Sequence, residues 1–184
     1  MTVDEILTED REIGLLVEEQ TPVPPKLKDA LNAQLNQEFA NFYLYHHFAN
    51  VMDSMGFKGF EKFFRSQASG EQTHAMLFNG YLLDRNLVPS LKPIQNPTKT
   101  PESVRQAVEL ALEREKQTTK EIWAIQYLAD ETKDAATHQW IKFLVDEQVE
   151  EEKTTQDLLT RIQAIGDDRA GLLLIDGDFG NFLY

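Results

Sequence analysis

Glu71 and His74 are the pair of residues in this chain whose types and spacing most directly suggest chemistry. A helix turns once every 3.6 residues or so, and positions 71 and 74 therefore project from one face. That face is otherwise largely apolar and includes Phe64 and Phe78. A carboxylate buried among phenylalanines is costly unless a cation or a proton neutralises it, and Glu-x-x-His on an inward face is a pattern that binds metal in helical bundles. Alone, the pair is equally compatible with a core histidine beside a glutamate at the edge of the stripe.

Three further glutamates, Glu38, Glu115 and Glu151, stand inside apolar stripes that step by three and four residues, as amphipathic helices do. Each lies near the middle of its predicted helix, where inward side chains of packed helices converge at one level. Four carboxylates in a dry core would repel one another, whereas two divalent cations would neutralise them and His74 would add a nitrogen ligand. This donor set suits iron or manganese, and it would also accept zinc.

The helical pattern predicts four long helices that position these residues, over 25–54, 58–86, 102–130, and from a polar corner at 130–137 to about Gly166. The break between the first two helices is short, which makes them antiparallel neighbours. Residues 87–101 contain four prolines and are long enough to cross the length of the bundle. We therefore expect an all-α four-helix bundle with a long crossover between the second and third helices.

Residues 1–24 and 167–184 flank the predicted bundle at 25–166. The first is acid-rich and ends in prolines that stop any preceding helix, so we interpret it as an N-terminal extension. The second carries three glycines among apolar residues. A short fifth helix is compatible with this stretch, although the glycines weaken it.

Composition narrows the function further. A net charge of −13 argues against a nucleic-acid partner, because phosphates would be repelled. The chain has no cysteine, which excludes disulfides, thiolate zinc sites and iron–sulfur clusters. The start lacks the pattern of a signal peptide and no stretch is long and apolar enough to span a membrane. We expect a cytoplasmic protein with no membrane partner.

Taken as a set, four segments resemble the ferritin family, specifically the non-haem bacterial ferritins. They are Leu35-Asn36-Gln37-Glu38 with Tyr45, Glu71-Gln72-Thr73-His74, Glu113-Arg114-Glu115, and 146–153. The likeness covers about residues 25–175. It implies a subunit of a hollow 24-subunit shell in which Fe(II) is oxidised by O2 or peroxide and stored as ferric mineral.

By position, the resemblance implies that Glu38 and His74 bind a first iron, that Glu71 bridges both irons of a di-iron centre, and that Glu115 and Glu151 bind the second.

Three neighbouring positions receive supporting roles from the same resemblance. Tyr45 is similar to the tyrosine that hydrogen-bonds a ligand carboxylate, although an ordinary core aromatic explains it equally well. Gln148 would orient the second iron or its bound oxygen species. Glu147 and Glu150 lie one turn from Glu151 and would form a transit point for metal between the di-iron centre and the shell cavity.

Three departures from relatives refine the expectation. The fourth helix reads Gln148-x-x-Glu151 where bacterioferritins have a second Glu-x-x-His, and Gln72 stands where they have a haem-binding methionine, so we expect no haem. Gly70 replaces an acid that completes a third iron site in many bacterial relatives. We therefore expect two well-ordered metals and a third that is weak, partial or absent.

Two alternatives remain open from the sequence: a non-storage di-iron oxidase or peroxidase, and a non-catalytic helical bundle. The corner acids Asp130, Glu131 and Asp134 either guide cations inward or form an ordinary solvated turn. His46, His47 and His138 do not fall at the level of the four glutamates, and we expect them to be structural or exposed.

Overall fold

The computed structural model describes the backbone of residues 22–166 and 168–182, and the side chains of these ranges up to residue 179. Residues 1–21 of the predicted extension lie outside this part of the chain. The described residues form five helices and no strand, in the order α1 Pro25–Ser54, α2 Lys58–Asp84, α3 Val104–Glu131, α4 Ala135–Ile165 and α5 Arg169–Phe182. The predicted all-α class and the short fifth helix are confirmed.

The first four helices form a bundle of two helical hairpins. α1 packs extensively against α2, and α3 packs extensively against α4, because only short connections separate the members of each pair. Residues 85–103 carry the chain from α2 to α3, and α1 also contacts α3. This is the predicted bundle with its long crossover, which the structure confirms.

Local signals explain where the helices begin and end. Ser103 precedes α3 and its hydroxyl accepts a hydrogen bond from the Gln106 amide, while Asp134 precedes α4 and its carboxylate accepts one from the Thr137 amide. The cap at Asp134 starts α4 at Ala135, so the helix begins before the end of the corner predicted at 130–137. At the other end of the first hairpin, α2 ends at Asp84, and Asn86 adopts a positive φ of 57°.

The apolar core is divided into two clusters by a belt of buried polar residues. One cluster includes Phe48, Phe64 and Leu158, and the other includes Leu31, Phe78 and Leu144. Along each of the four bundle helices, residues of one cluster precede the polar level and residues of the other follow it. The four sequence-predicted glutamates all lie at this level, between the two clusters.

α5 is attached to the start of α2 by specific contacts. The Asp176 carboxylate accepts a hydrogen bond of 2.8 Å from the Phe60 amide, one of the free N–H groups of the first turn of α2. Gly59 permits this approach, since a Cβ there would overlap the main chain of Asp176. Arg169 adds a hydrogen bond of 3.1 Å to the carbonyl of Met55. These contacts hold the glycine-containing fifth helix against the start of α2.

Among the described residues, no helix combines the length and the apolar character needed to cross a membrane.

Candidate metal centre

Three of the bundle helices each bring one deeply buried carboxylate to the same level. Glu38 of α1, Glu71 of α2 and Glu115 of α3 are 1%, 6% and 2% exposed. Glu151 of α4 completes the group and is half-buried. The side chains that the sequence picked out on four separate helices are therefore close neighbours in the folded protein.

Glu38, Glu71 and His74 form the tightest group of potential ligands. Each offers one ligand atom, and these atoms all lie within 4.8 Å of one another. The Nδ1 atom of His74 is 3.7 Å from a carboxylate oxygen of Glu71. Two carboxylates and an imidazole at this separation fit a divalent cation such as iron or manganese.

Two amide side chains hold Glu38 in place, and sequence reasoning missed both. Gln34 donates a hydrogen bond of 2.8 Å to one oxygen of Glu38, and Asn41 donates one of 3.2 Å to the other. Asn41 also lies 3.4 Å from a carboxylate oxygen of Glu71. The available signal was spacing, because positions 34 and 41 lie one turn either side of Glu38 on the same helix face.

Glu115 is held from two directions. The phenol of Tyr45 donates a short hydrogen bond to one oxygen of its carboxylate. Gln148 donates from Nε2 to the other oxygen at 3.3 Å. Tyr45 and Gln148 are both buried, and each therefore fixes the orientation of a predicted ligand.

Where α2 faces α4, two polar contacts cross between the helices. Gln67 donates a hydrogen bond of 3.3 Å to Glu151, and Nε2 of His74 lies 3.3 Å from a carboxylate oxygen of Glu147. Glu150 is exposed. A cavity of about 170 Å³ opens here, and its lining consists of Ser66, Gln67, Gly70, Glu71, His74, Glu115, Gln148 and Glu151.

Burial makes the carboxylates of this centre weak acids. It raises the pKa of Glu71 to about 8 and that of Glu151 to about 7, and repulsion from Glu115 adds to both shifts. Burial, followed by repulsion from Glu71, raises the pKa of Glu38 well above its usual range. The pKa of Glu115 is also raised by burial, although hydrogen bonds from Tyr45 and Gln148 oppose the shift. Such a cluster must hold either protons or cations, and its donor atoms fit the latter.

The pKa of Tyr45 is raised well above its usual value by burial and by the nearby charge of Glu115. Its phenol therefore keeps its proton and serves as a hydrogen-bond donor.

The acids at the corner between α3 and α4 differ from the guiding cluster suggested by the sequence. Asp134 is buried and forms a two-pronged ion pair with Arg85, with both contacts at 2.8 Å. Asp130 pairs with His138 at the surface, and Glu131 is exposed. Asp134 therefore anchors the fold and does not present a free carboxylate to passing cations.

Two other acids, one on α3 and one on α4, are half-buried and paired. Glu121 lies 2.5 Å from Arg114, and Glu152 accepts a hydrogen bond from Thr119. Of the remaining histidines, His46 is exposed and His47 lies 3.0 Å from the hydroxyl of Thr100.

Comparison with known proteins decides the family. A family model described as a ferritin-like domain matches residues 28–165. This chain belongs to the ferritin family. The protein is 32% identical over 151 residues to a probable bacterial non-heme ferritin-like protein of Haemophilus influenzae, a match that covers 82% of this chain and 92% of that protein. It is 29% identical over 154 residues to a bacterial non-heme ferritin of Staphylococcus aureus, across 84% of this chain and 93% of the relative.

Solved structures agree with this membership. An open pore ferritin of the hyperthermophilic archaeon Archaeoglobus fulgidus superimposes with a TM-score of 0.84 at 33% identity, over 86% of this chain and 98% of that one. The resemblance to non-haem bacterial ferritins inferred from the sequence is confirmed.

Proposed function

We propose that this ferritin stores iron and is a ferroxidase. Fe(II) is its substrate, O2 or peroxide is the oxidant, and the ferric product accumulates as hydrated mineral inside a shell of 24 subunits. Each Fe(II) gives up one electron to the oxidant, and hydrolysis of the ferric ion by water releases protons.

One observation carries the proposal: acids from four helices meet in a buried centre that also contains an imidazole. A structural bundle gains nothing from such a cluster, because each ionised carboxylate is costly to bury and repels the others. Fe(II) binding removes that cost, so the centre is better suited to a cation than to any apolar ligand. Similarity to ferritins favours this activity over a non-storage oxidase or peroxidase.

Within the proposed di-iron centre, Glu38 and His74 bind the first iron, Glu71 bridges the two, and Glu115 and Glu151 bind the second. The spacing of Glu38, Glu71 and His74 supports the first of these sites. The amides of Gln34 and Asn41 orient Glu38, while Tyr45 and Gln148 orient Glu115. These donors hold the carboxylates in a fixed geometry before metal arrives.

We further propose that the protein acts in the cytoplasm and without haem. Gln72, which stands where haem-binding relatives have methionine, offers an amide in place of a thioether and is exposed on α2.

One experiment tests storage and oxidation together. Metal-free protein is mixed with Fe(II) in air, ferric absorbance is followed, and the product is sized. We expect rapid oxidation and continued uptake of hundreds of irons by a particle near 24 subunits. A small oligomer that stops at two irons per subunit would contradict storage, and protein that does not accelerate oxidation would contradict ferroxidase activity.

A further inference from the structure

The side of the bundle where α2 faces α4 is its most open part. Contacts between these two helices are far fewer than those within either hairpin. Aromatic side chains bridge them near one end, where Tyr81 of α2 stacks on Trp140 of α4 with ring centroids 4.0 Å apart. At the polar level between the two apolar clusters, the side chains of Gln67 and His74 cross the gap to Glu151 and Glu147.

Gly70 lies between the two polar crossings. Gln67 is one turn before it and contacts Glu151, while His74 is about one turn after it and contacts Glu147. Apart from its own helix, no heavy atom lies within 4 Å of the position that a Cβ on Gly70 would occupy. The glycine therefore leaves an opening that any larger residue would narrow.

The cavity of about 170 Å³ behind this opening reaches the buried acids. Its lining changes gradually with depth: Ser66 is exposed, Gln67 and Gly70 are half-buried, and Glu71 and Glu115 are buried. A hydrated cation entering here meets the hydroxyl of Ser66 and the amide of Gln67 before it reaches His74 and the buried acids. The exposed Glu150 and the partly exposed Glu147 add negative charge on the same side, which favours cations over anions.

We propose that the opening at Gly70 is the passage by which divalent cations enter and leave the buried centre, and that the missing side chain sets the speed of this exchange. The inference rests on the proposed function, since it assumes that the centre binds cations. It assigns Gly70 a role in access and none in ligation. Because cations both enter and leave by this passage, narrowing it slows binding and release by the same factor. The equilibrium affinity of the centre for the cation is therefore unchanged.

The test compares Gly70→Leu with Gly80→Leu in the assembled protein. Gly80 lies in the same helix and likewise has open space at its Cβ position, so both changes replace glycine by leucine without a direct clash. Gly70→Ala provides a third variant in which the opening is only slightly narrowed. All three are first shown by sizing to assemble like the wild type.

Binding and release of Co(II), which O2 does not oxidise under mild conditions, are then followed by absorbance. We expect Gly70→Leu to slow both rates about tenfold, because an apolar constriction hinders a hydrated ion. Its final stoichiometry should equal that of the wild type, and Gly70→Ala and Gly80→Leu should bind at nearly the wild-type rate. Aerobic Fe(II) oxidation should slow in the same variant only.

Unchanged Co(II) rates in Gly70→Leu would overturn the inference, as would a reduced stoichiometry, which would mean that leucine damages the site itself. Wild-type protein that bound neither Co(II) nor Fe(II) would overturn the proposed function and the passage with it. If the wild type and Gly70→Leu oxidised Fe(II) at the same normal rate, the proposed passage would be overturned while the proposed function would stand.

Discussion

Tyr45 of α1 donates a hydrogen bond from its phenol to the carboxylate of Glu115, seventy positions later in the chain on α3. Both side chains are buried, and the tyrosine ring also packs against Phe64 of α2. A single side chain thus belongs to the apolar core through its ring and to the candidate metal centre through its hydroxyl. The two interpretations that the sequence left open for Tyr45, core aromatic and ligand-orienting residue, are therefore compatible.

Tyr45→Phe should slow Fe(II) oxidation while preserving the fold. The ring still fills its site, but Glu115 loses one of the two donors that fix its carboxylate. Loss of such a supporting hydrogen bond typically reduces activity by roughly 10-fold or more. Initial rates of ferric absorbance measure the effect. Tyr43→Phe, at a tyrosine that is 46% exposed on the same helix, is the matched control. Equal Fe(II) oxidation rates in Tyr45→Phe and Tyr43→Phe would show that the hydroxyl of Tyr45 does not support the metal centre.

Glu71→Ala should reduce Fe(II) oxidation to the uncatalysed rate, because it removes the proposed bridge between both metals. Assembly should survive, since the change relieves repulsion among buried carboxylates. Sizing and stopped-flow absorbance would be recorded on the same preparation. Glu113→Ala removes an acid that pairs with Lys99 at the surface, and it should leave the rate unchanged. Wild-type initial rates in Glu71→Ala would exclude the assigned bridge.

Metal-free protein should become less stable as pH rises from about 5 to above 8. Folding raises the pKa of Glu71 to about 8 and that of Glu151 to about 7, so the folded state binds protons more tightly than the unfolded state. The resulting stabilisation is complete below the unfolded pKa and is lost as pH rises through the folded values.

Thermal unfolding in the presence of a chelator measures this trend. The midpoint should fall with pH in the wild type and fall less steeply in Glu71→Gln, whereas Glu113→Gln should follow the wild type. Added Mn(II) should restore stability at high pH, because a cation then replaces the proton. An unfolding midpoint that rises over the same pH range would contradict this prediction, because it would mean that folding does not raise the pKa values of these carboxylates.

The sequence predicted the helices and the inward position of the four glutamates because both depend on a simple period. Apolar residues at spacings of three and four must face inward, and an acid within such a stripe is conspicuous. The partners of those acids were harder to find. Gln34 and Asn41 are polar residues that resemble solvated positions until a buried carboxylate is known to need donors. The role of Asp134 depended on Arg85, a residue 49 positions away that directly follows α2.

Asp134→Asn should destabilise the folded protein by about 3 kcal/mol, because it removes the negative charge from the two-pronged ion pair with Arg85 in a largely buried site. The change also weakens the cap of α4, where Asp134 accepts the Thr137 amide. Chemical denaturation of the metal-free protein gives the free energy of unfolding. Asp130→Asn removes a surface partner of His138 and should cost less than about 1 kcal/mol.

Slower iron uptake without a loss of stability in Asp134→Asn would contradict this assignment and return Asp134 to a cation-guiding role.

Gly59→Ala should loosen α5, while Gly80→Ala should not. A Cβ at position 59 would overlap the main chain of Asp176, and a backbone atom cannot move aside as a flexible side chain can. The hydrogen bond from the Phe60 amide to Asp176 and the ring contact between Phe60 and Phe179 would both be strained. Overpacking of this kind costs roughly 1–3 kcal/mol. At position 80 there is open space, so alanine should be neutral or stabilise α2 by up to about 1 kcal/mol.

Limited proteolysis and denaturation distinguish the two variants. We expect Gly59→Ala to be cut after residue 166 faster than the wild type and to oxidise Fe(II) at the wild-type initial rate, because none of the described side chains of α5 lines the buried centre. Gly80→Ala should resist the protease like the wild type. Equal protease resistance in both variants would show that α5 does not depend on the close approach at Gly59. A slower initial oxidation rate in Gly59→Ala would instead show that α5 docking is needed to align α2, and with it Glu71 and His74.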